Sequence, residues 1–218
     1  MDDKELEKIR KQHANNYKNI VLDLIANNTI AFIEDIKTMI KKPPLETMDL
    51  IKNRFLSLAK KNKIVLDTES LDAILESFRK DLFDMCDEIK KIRIDNLNNL
   101  VNEVKLEKTD VIKLSKKDFN DINKNIRRIF KDKINVASER IINAADNVFN
   151  SKIEEDIRNK IVEDVSKYIK NIYLKQMLDN FDNKMLIKDT TLINNIKEQA
   201  ERYRFTLNNS HIFNDLNN

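Results

Sequence analysis

Apolar residues recur at spacings of three and four along nearly the whole chain, which is the repeat of amphipathic α-helices. One such stripe predicts a first helix over residues 3–26. Asn27 and Asn28 are expected to end it, because asparagine adopts the left-handed C-cap conformation more readily than most residues. A second helix is predicted over residues 29–41. Residues 1–42 would therefore form an N-terminal helical hairpin.

The two prolines of the chain, Pro43 and Pro44, predict a domain boundary, since proline disfavours helix in the residue before it. A main helical bundle over residues 45–207 is expected to follow, and then a flexible tail over residues 208–218. The apolar stripes divide this bundle into five predicted helices, over residues 44–62, 69–107, 116–150, 151–181 and 191–207.

The two longest predicted helices define the expected architecture. The stripe of the first is close to the heptad repeat of a coiled coil and runs through Leu71, Ile74 or Leu75, Phe78, Leu82, Met85, Ile89 and Ile92. A short connection to the next long helix favours an antiparallel pair. The sequence predicts an all-α fold, an elongated bundle of six to seven helices with a long antiparallel helical hairpin at its centre.

The composition supports this fold class and excludes several kinds of enzyme. The chain has 218 residues and contains no glycine. Phosphate-binding loops, dinucleotide fingerprints and nucleophile elbows need glycine where the backbone takes positive φ or approaches a ligand closely. Tight β-hairpins also draw on glycine, so sandwiches and barrels are disfavoured.

Charge and cysteine content say little about a partner but bear on location. The formal net charge is +3, and a single cysteine cannot form an internal disulfide. The N-terminal residues lack an apolar signal core, and no apolar run reaches the length of a membrane span. We expect a cytoplasmic protein, or one enclosed in a particle assembled there, with no membrane partner. The asparagine-, lysine- and isoleucine-rich sequence favours a phage or mobile-element origin.

Candidate catalytic or metal-binding residues are few. His13 lies on an apolar stripe and His211 in the tail, and neither has an acidic residue at metal-ligand spacing. Cys86 is interpreted as a small buried hydrophobe. Asp81, Asp84 and Glu88 share one side of a helix, but lysines lie close by and a solvated face is the preferred interpretation. The sequence therefore predicts no enzyme, no cofactor and no metal.

A basic helix face is the first candidate site. Seven cations fall in one sector of the predicted helix over 116–150 and its approach, and Asp118, Asp121 and Asp132 fall outside that sector. They are Lys113, Lys116, Lys117, Lys124, Arg127, Arg128 and Lys131, of which all but Lys116 form the candidate basic face. Aligned cations suit a phosphate backbone, although base-stacking aromatics are missing. Pairing with the acidic face of the preceding helix, or plain solvation, is the competing interpretation.

Apolar residues off the main stripes are the second candidate site. Phe83 and Ile94 lie off the stripe of the first long helix, and Ile142 and Phe149 lie off the stripe of the second. A helix that is apolar on two sides is either sandwiched between neighbours or contacts another chain. The other helices of the bundle could supply the second layer, and a partner or a second copy is the alternative.

These observations favour a non-catalytic helical interaction protein: a structural, adaptor or inhibitory component that acts through protein–protein contacts or self-association. The alternative is a nucleic-acid-binding accessory protein that uses the basic helix face. Arg202-Tyr203-Arg204-Phe205 also mixes cations with aromatics, but this segment is short and packing of a helix end is favoured over RNA binding.

Overall fold

The structure, a computed structural model, describes residues 3–41, 47–106, 110–149 and 153–209. Of these residues 91% are helical, and no β-strand occurs within the described ranges. The elements are α1 (Asp3–Lys41), α2 (Thr47–Lys61), α3 (Thr68–Glu103), α4 (Lys116–Ala144) with a 3-10 turn (Ala145–Val148), α5 (Glu155–Tyr168), a π-helical turn (Ile169–Tyr173) and α6 (Leu174–Asn209). The all-α fold class is confirmed. In the described part of the chain no helix is long and apolar enough to cross a membrane.

The predicted count of six to seven helices is slightly too high, because the described residues form five continuous helical bodies. One reason is that α1 passes through Asn27 and Asn28 without a break. The Asn28 amide donates to the carbonyl of Lys188 at 2.9 Å, and its Oδ1 accepts from Arg93 at 3.2 Å. These tertiary hydrogen bonds outweigh the weak local preference of asparagine for a helix end. The antiparallel hairpin at the centre of the bundle stays a prediction.

The second reason is that α5, the π-helical turn and α6 form one uninterrupted helical body, where the sequence predicted an end near Phe181. Buried positions recur here in steps of four, at Val165, Ile169, Tyr173 and Met177. A step of four slightly exceeds the 3.6 residues of an α-helical turn. The π-helical turn, in which the Leu174 N–H donates to the Ile169 carbonyl, adds the extra residue that keeps these side chains on the same side.

The end of α2 shows how a chain without glycine closes a helix. Lys63 takes the left-handed conformation, with φ of 56°, which costs a residue with a Cβ about 1–2 kcal/mol. The N–H of Ile64 bonds to the carbonyl of Ala59 at 2.9 Å, and that of Lys63 to the carbonyl of Lys60 at 3.1 Å, the pair of bonds that defines a Schellman motif. The neighbouring Asn62 does not take this position, and its amide caps the Leu58 carbonyl instead.

Several sequence predictions lie outside the described residues: the boundary at Pro43 and Pro44, and the tail from residue 210 on with His211. The division into 1–42, 45–207 and 208–218 stays a prediction. The described chain groups into two compact units. Unit 1 comprises Met1–Phe32, Lys90–Lys124 and Met185–Asn218, and unit 2 comprises Ile33–Ile89 and Asn125–Lys184.

Unit 1 has an apolar core built from all of its segments. The fully or almost fully buried side chains are Tyr17, Val21 and Ile25 of α1, Leu97 and Val101 of α3, Ile112 before α4, Phe119 of α4, and Leu192, Ile196 and Tyr203 of α6. A polar group interrupts this core, because Arg93 is completely buried and Asp189 almost so.

Unit 2 has its own apolar core, with α2 packed against α5. Its largest buried side chains include Phe55, Phe78, Phe130, Tyr173 and Phe181. The rings of Phe130 and Phe181 stack with centroids 4.0 Å apart. Two short connections meet in a single antiparallel bridge between Leu66 and Phe149, which is 8% exposed.

Candidate functional site

An extended segment between α3 and α4 forms one wall of the candidate site in unit 1. Burial alternates along it, with Ile112 and Leu114 buried and Lys113 and Ser115 exposed. Alternation with a period of two is the pattern of an extended chain lying on a core. The N–H of Ile112 donates to the Tyr17 hydroxyl of α1 at 3.2 Å, which fixes the segment against the rest of unit 1.

The segment ends at the start of α4, where Ser115 and Asp118 close the helix N-terminus. The Asp118 carboxylate accepts from the N–H and the hydroxyl of Ser115, at 2.6 and 2.7 Å. This pairing matches the spacing of a capping box and places a carboxylate in the first turn, where the helix dipole stabilises it. The direction in which the extended segment leaves α4 is thereby set.

A stripe along α6 forms the facing wall. It presents the apolar side chains of Ile193, Ile196 and Ala200, flanked by polar side chains at Lys197, Glu201 and Arg204. Between the stripe and the extended segment lies a groove of about 370 Å³, whose other lining residues are Val111, Ile112, Lys113, Leu114 and Ser115. The apolar side chains of the α6 stripe form what we call the apolar floor of the groove. The volume of the groove and this apolar floor are typical of ligand-binding sites.

The rim of the groove carries a positive charge excess. Three cations line it, Lys113, Lys197 and Arg204, which we call the rim cations, against one carboxylate, Glu201. None of the rim cations forms an ion pair with any residue that the structure describes. An anionic group entering the groove would therefore meet cations that no neighbouring carboxylate already neutralises.

Aromatic stacking holds α1 and α6 together beside the groove. The Tyr203 ring lies between His13 and Tyr17, with centroid distances of 5.0 and 4.3 Å. Burial raises the pKa values of both Tyr17 and Tyr203, so both hydroxyls stay protonated at neutral pH. The Tyr17 hydroxyl is thus positioned for Ile112 by packing, and the interpretation of His13 as a packed residue agrees with its place in the stack.

A second cleft of unit 1, of about 510 Å³, lies beside the last turns of α6 and the first turns of α1. Two of the cations that line this cleft already have partners. Lys11 pairs with Glu7 at 2.8 Å, and Lys18 donates to the Asn102 carbonyl at 3.3 Å. The groove with the rim cations is therefore the better candidate for binding an anionic group.

The predicted basic face is placed as follows. All six residues, Lys113, Lys117, Lys124, Arg127, Arg128 and Lys131, are exposed. In unit 2, Arg127 pairs with Asp182 at 2.8 Å and Arg128 donates to the Asn125 side chain at 3.1 Å. In unit 1, Lys113 belongs to the groove, and neither Lys117 nor Lys124 forms an ion pair with a described residue. Nucleic-acid binding by this face stays a prediction.

The residues of the predicted protein-contact face are less exposed than those of the predicted basic face. Phe83, Ile94 and Ile142 are partly exposed, whereas Phe149 is buried at the bridge to Leu66. Contact of these residues with a partner also stays a prediction. The α6 wall of the groove was not predicted. The signal that could have found the opposite wall is the alternation from Ile112 to Ser115, because a period of two between two long helices indicates an extended segment.

The acidic side of α3 in unit 2 is engaged by cations of α4. Asp81 pairs with Arg140 at 2.5 Å, and Glu88 lies 3.7 Å from Lys133. Among the residues that the structure describes, no group of three or more His, Cys, Asp or Glu side chains is arranged to hold a metal ion. The Asp81 and Glu88 carboxylates therefore connect α3 to α4 within unit 2.

The Cys86 thiol is expected to be unreactive in the folded protein. It is fully buried, and burial raises its pKa to about 12, so almost no nucleophilic thiolate is present at neutral pH. We expect no labelling by iodoacetamide at mildly alkaline pH, and complete labelling in denaturant, as measured by intact mass. Rapid labelling of protein that keeps its circular dichroism spectrum would contradict this assignment.

Comparison with known proteins adds no assignment: no family model matches the chain, and neither a curated protein nor a solved structure matches it.

Proposed function

We propose that the chain is a non-catalytic interaction protein that captures an acidic, apolar segment of a partner protein in the groove of unit 1. The observation that carries this proposal is the combination of an apolar floor with three rim cations, none of them ion-paired to a described residue, against one carboxylate among the described lining residues. An occupant that satisfies both features has apolar side chains for the floor and carboxylates for the rim. Acidic segments with interspersed aliphatic residues have this chemistry.

The two features would contribute differently to binding. Each valine, leucine or isoleucine side chain buried on the floor stabilises the complex by about 1.5–3 kcal/mol. Each exposed ion pair at the rim adds about 0.2–1 kcal/mol. The floor would therefore supply most of the affinity, while the rim cations select acidic segments and speed their association.

The alternative function, binding of nucleic acid, is supported by the exposed Lys117 and Lys124 of α4, neither of which is ion-paired to a described residue. Single strands are commonly bound by a basic surface together with aromatic side chains on which bases stack. Among the described residues, the groove is lined by aliphatic and charged side chains and Ser115, and by no aromatic side chain. This lining favours a peptide over a nucleic acid.

The proposal is tested by selecting a random peptide library on the full chain. We expect enrichment of sequences that combine Asp and Glu with Val, Ile and Leu. The double substitution Lys197→Glu and Arg204→Glu should abolish that enrichment. It should also weaken the affinity for an enriched peptide by about tenfold, since two favourable ion pairs become repulsive. Affinities are read by fluorescence anisotropy.

The matched control is the double substitution Lys8→Glu and Lys91→Glu, which makes the same charge change at exposed lysines of unit 1 outside the groove. It should change affinity less than twofold. Equal loss in both variants would mean that net charge and not the groove drives binding. A single-stranded DNA oligonucleotide that binds more tightly than the peptide, and whose binding Lys117→Glu with Lys124→Glu abolishes, would favour the alternative function. A concentration-dependent dimer that occupies the groove would favour self-association.

A further inference from the structure

Residues 111–115, which form one wall of the groove, have two backbone edges. One edge is hydrogen-bonded to α1, and the other, which we call the open edge, has no hydrogen-bond partner at Val111 and Lys113 in the described part of the chain. The N–H of Ile112 points to α1, where it bonds to the Tyr17 hydroxyl at 3.2 Å. In an extended chain, the backbone groups of successive residues point to opposite sides. Those of Val111 and Lys113 are therefore directed away from Tyr17. Both residues line the groove, and neither backbone forms a hydrogen bond within the described part of the chain.

An open edge of extended backbone is a template for another strand. We infer that the acidic segment binds as an added strand, hydrogen-bonded to the backbone of Val111 and Lys113, with one face of the strand directed at the α6 stripe. This mode rests on the proposed function, since it specifies how the same groove holds its occupant. Main-chain hydrogen bonds would align the segment, and the α6 wall would read its side chains.

The dimensions of the two walls agree with this mode. The α6 wall runs from Ile193 to Arg204, which is about 17 Å at the ~1.5 Å rise of a helix residue. About five extended residues cover the same distance at ~3.3 Å each. The opposite wall, residues 111–115, is itself five residues long. A strand of this length fills the groove without extending past either wall.

The chemistry of the walls also fixes the pattern of the strand. Successive side chains of a strand point to opposite faces, so alternate residues would meet the apolar floor at Ile193, Ile196 and Ala200. The residues between them would face outward, where the rim cations lie. The recognised sequence is therefore one in which aliphatic and acidic residues alternate, in contrast to the spacing of three and four that a bound helix would show.

The test uses a synthetic heptapeptide, Glu-Val-Glu-Val-Glu-Val-Glu with blocked ends, and two versions of it that are N-methylated at alternate backbone amides. Only one set of alternate amides can face the open edge. Methylation of that set should weaken binding to the full chain by about two- to tenfold for each hydrogen bond lost, and methylation of the other set should have little effect. Equal effects of the two methylated peptides would overturn the strand mode.

A pair of chain variants gives an independent readout. Lys113→Pro removes the N–H and the charge, and Lys113→Ala removes the charge alone. Proline is compatible with an extended backbone, so both variants are expected to fold, and circular dichroism checks this. Binding of the heptapeptide should be about two- to tenfold weaker for Lys113→Pro than for Lys113→Ala. Equal affinities of two folded variants would contradict the assigned edge.

The outcomes separate the two proposals. If the unmodified heptapeptide binds, and Lys197→Glu with Arg204→Glu weakens it, but neither methylation nor Lys113→Pro has a specific effect, the strand mode is wrong and the proposed function stands. If the heptapeptide fails to bind at its highest soluble concentration and library selection enriches no acidic sequence, both proposals fail.

Discussion

Asp189→Ala is expected to destabilise the protein by about 3–5 kcal/mol, because it leaves the buried Arg93 guanidinium without its counter-charge. Arg93 is 0% exposed, and its Nη2 donates to Asp189 Oδ1 at 2.7 Å. The other carboxylate oxygen accepts from the Asn123 amide at 2.5 Å. Without Asp189, the buried guanidinium would keep only a neutral acceptor, the Asn28 Oδ1 at 3.2 Å, and no counter-charge.

The other contacts of Arg93 would compensate only in part for the loss of the Asp189 carboxylate. Its guanidinium lies over the rings of Phe32 and Phe119, at 5.3 and 5.6 Å from their centroids. Nε and Nη1 have no hydrogen-bond acceptor in the described residues. Cation–π contacts of this kind contribute about 0.5–2 kcal/mol, less than the penalty of an unpaired buried charge.

Urea unfolding followed by circular dichroism measures the effect, since the chain has no tryptophan. The control is Asp182→Ala, which removes the exposed partner of Arg127 and should cost about 0–1 kcal/mol. Arg93→Met combined with Asp189→Leu should recover most of the stability, because a pair of apolar residues replaces both charges. Equal costs for Asp189→Ala and Asp182→Ala would refute the importance of the buried pair.

This buried pair also shows what the hydrophobic pattern could and could not predict. Along α3 the predicted stripe is correct from Leu71 to Ile89, where it is close to a heptad repeat. The predicted stripe continues to Ile92, whereas the buried positions continue in steps of four through Arg93 and Leu97. A pattern that scores arginine as polar cannot place it in a core, although its aliphatic stem packs like an apolar side chain.

Helix existence was predictable because apolar side chains recur at helical spacing, whereas helix ends were not. In α4, the side chains buried at spacings of three and four include Phe119, Ile122, Ile126, Phe130, Ile134, Ala137 and Ile141. The break at Asn27 and Asn28 was wrong because helix propensities differ by less than about 1 kcal/mol per residue, which one tertiary hydrogen bond can outweigh.

The candidate site was predictable only in part. Lys113 was among the cations of the predicted basic face, and Arg204 was noted only within the short Arg202–Phe205 segment. Lys197 was not singled out, since isolated cations on a helix usually indicate a solvated face. The rim cations become a group only when residues some eighty positions apart meet across the groove, and the sequence carries no local signal for that. The same holds for the Tyr17 hydroxyl, whose acceptor role for Ile112 depends on packing alone.

Phe181→Ala is expected to cost about 3–5 kcal/mol of stability, because it leaves a cavity in the core of unit 2. The side chain is 0% exposed, and its ring stacks on Phe130 with an angle of 16° between the ring planes. The loss combines the transfer of an aromatic ring to water with the loss of the stacked contact. Urea unfolding again measures the effect.

The size of this effect discriminates between the structure and the helix end that the sequence predicted near Phe181. At a fraying helix end the side chain would contact few neighbours, and its truncation would cost little. Within α6 the same side chain is completely buried. Leu186→Ala, at a position that is 59% exposed on the same helix, should stay within about 0.5 kcal/mol of the unmodified protein. A large cost for Phe181→Ala beside a negligible one for Leu186→Ala therefore favours a helix that continues through residue 181 over one that ends there.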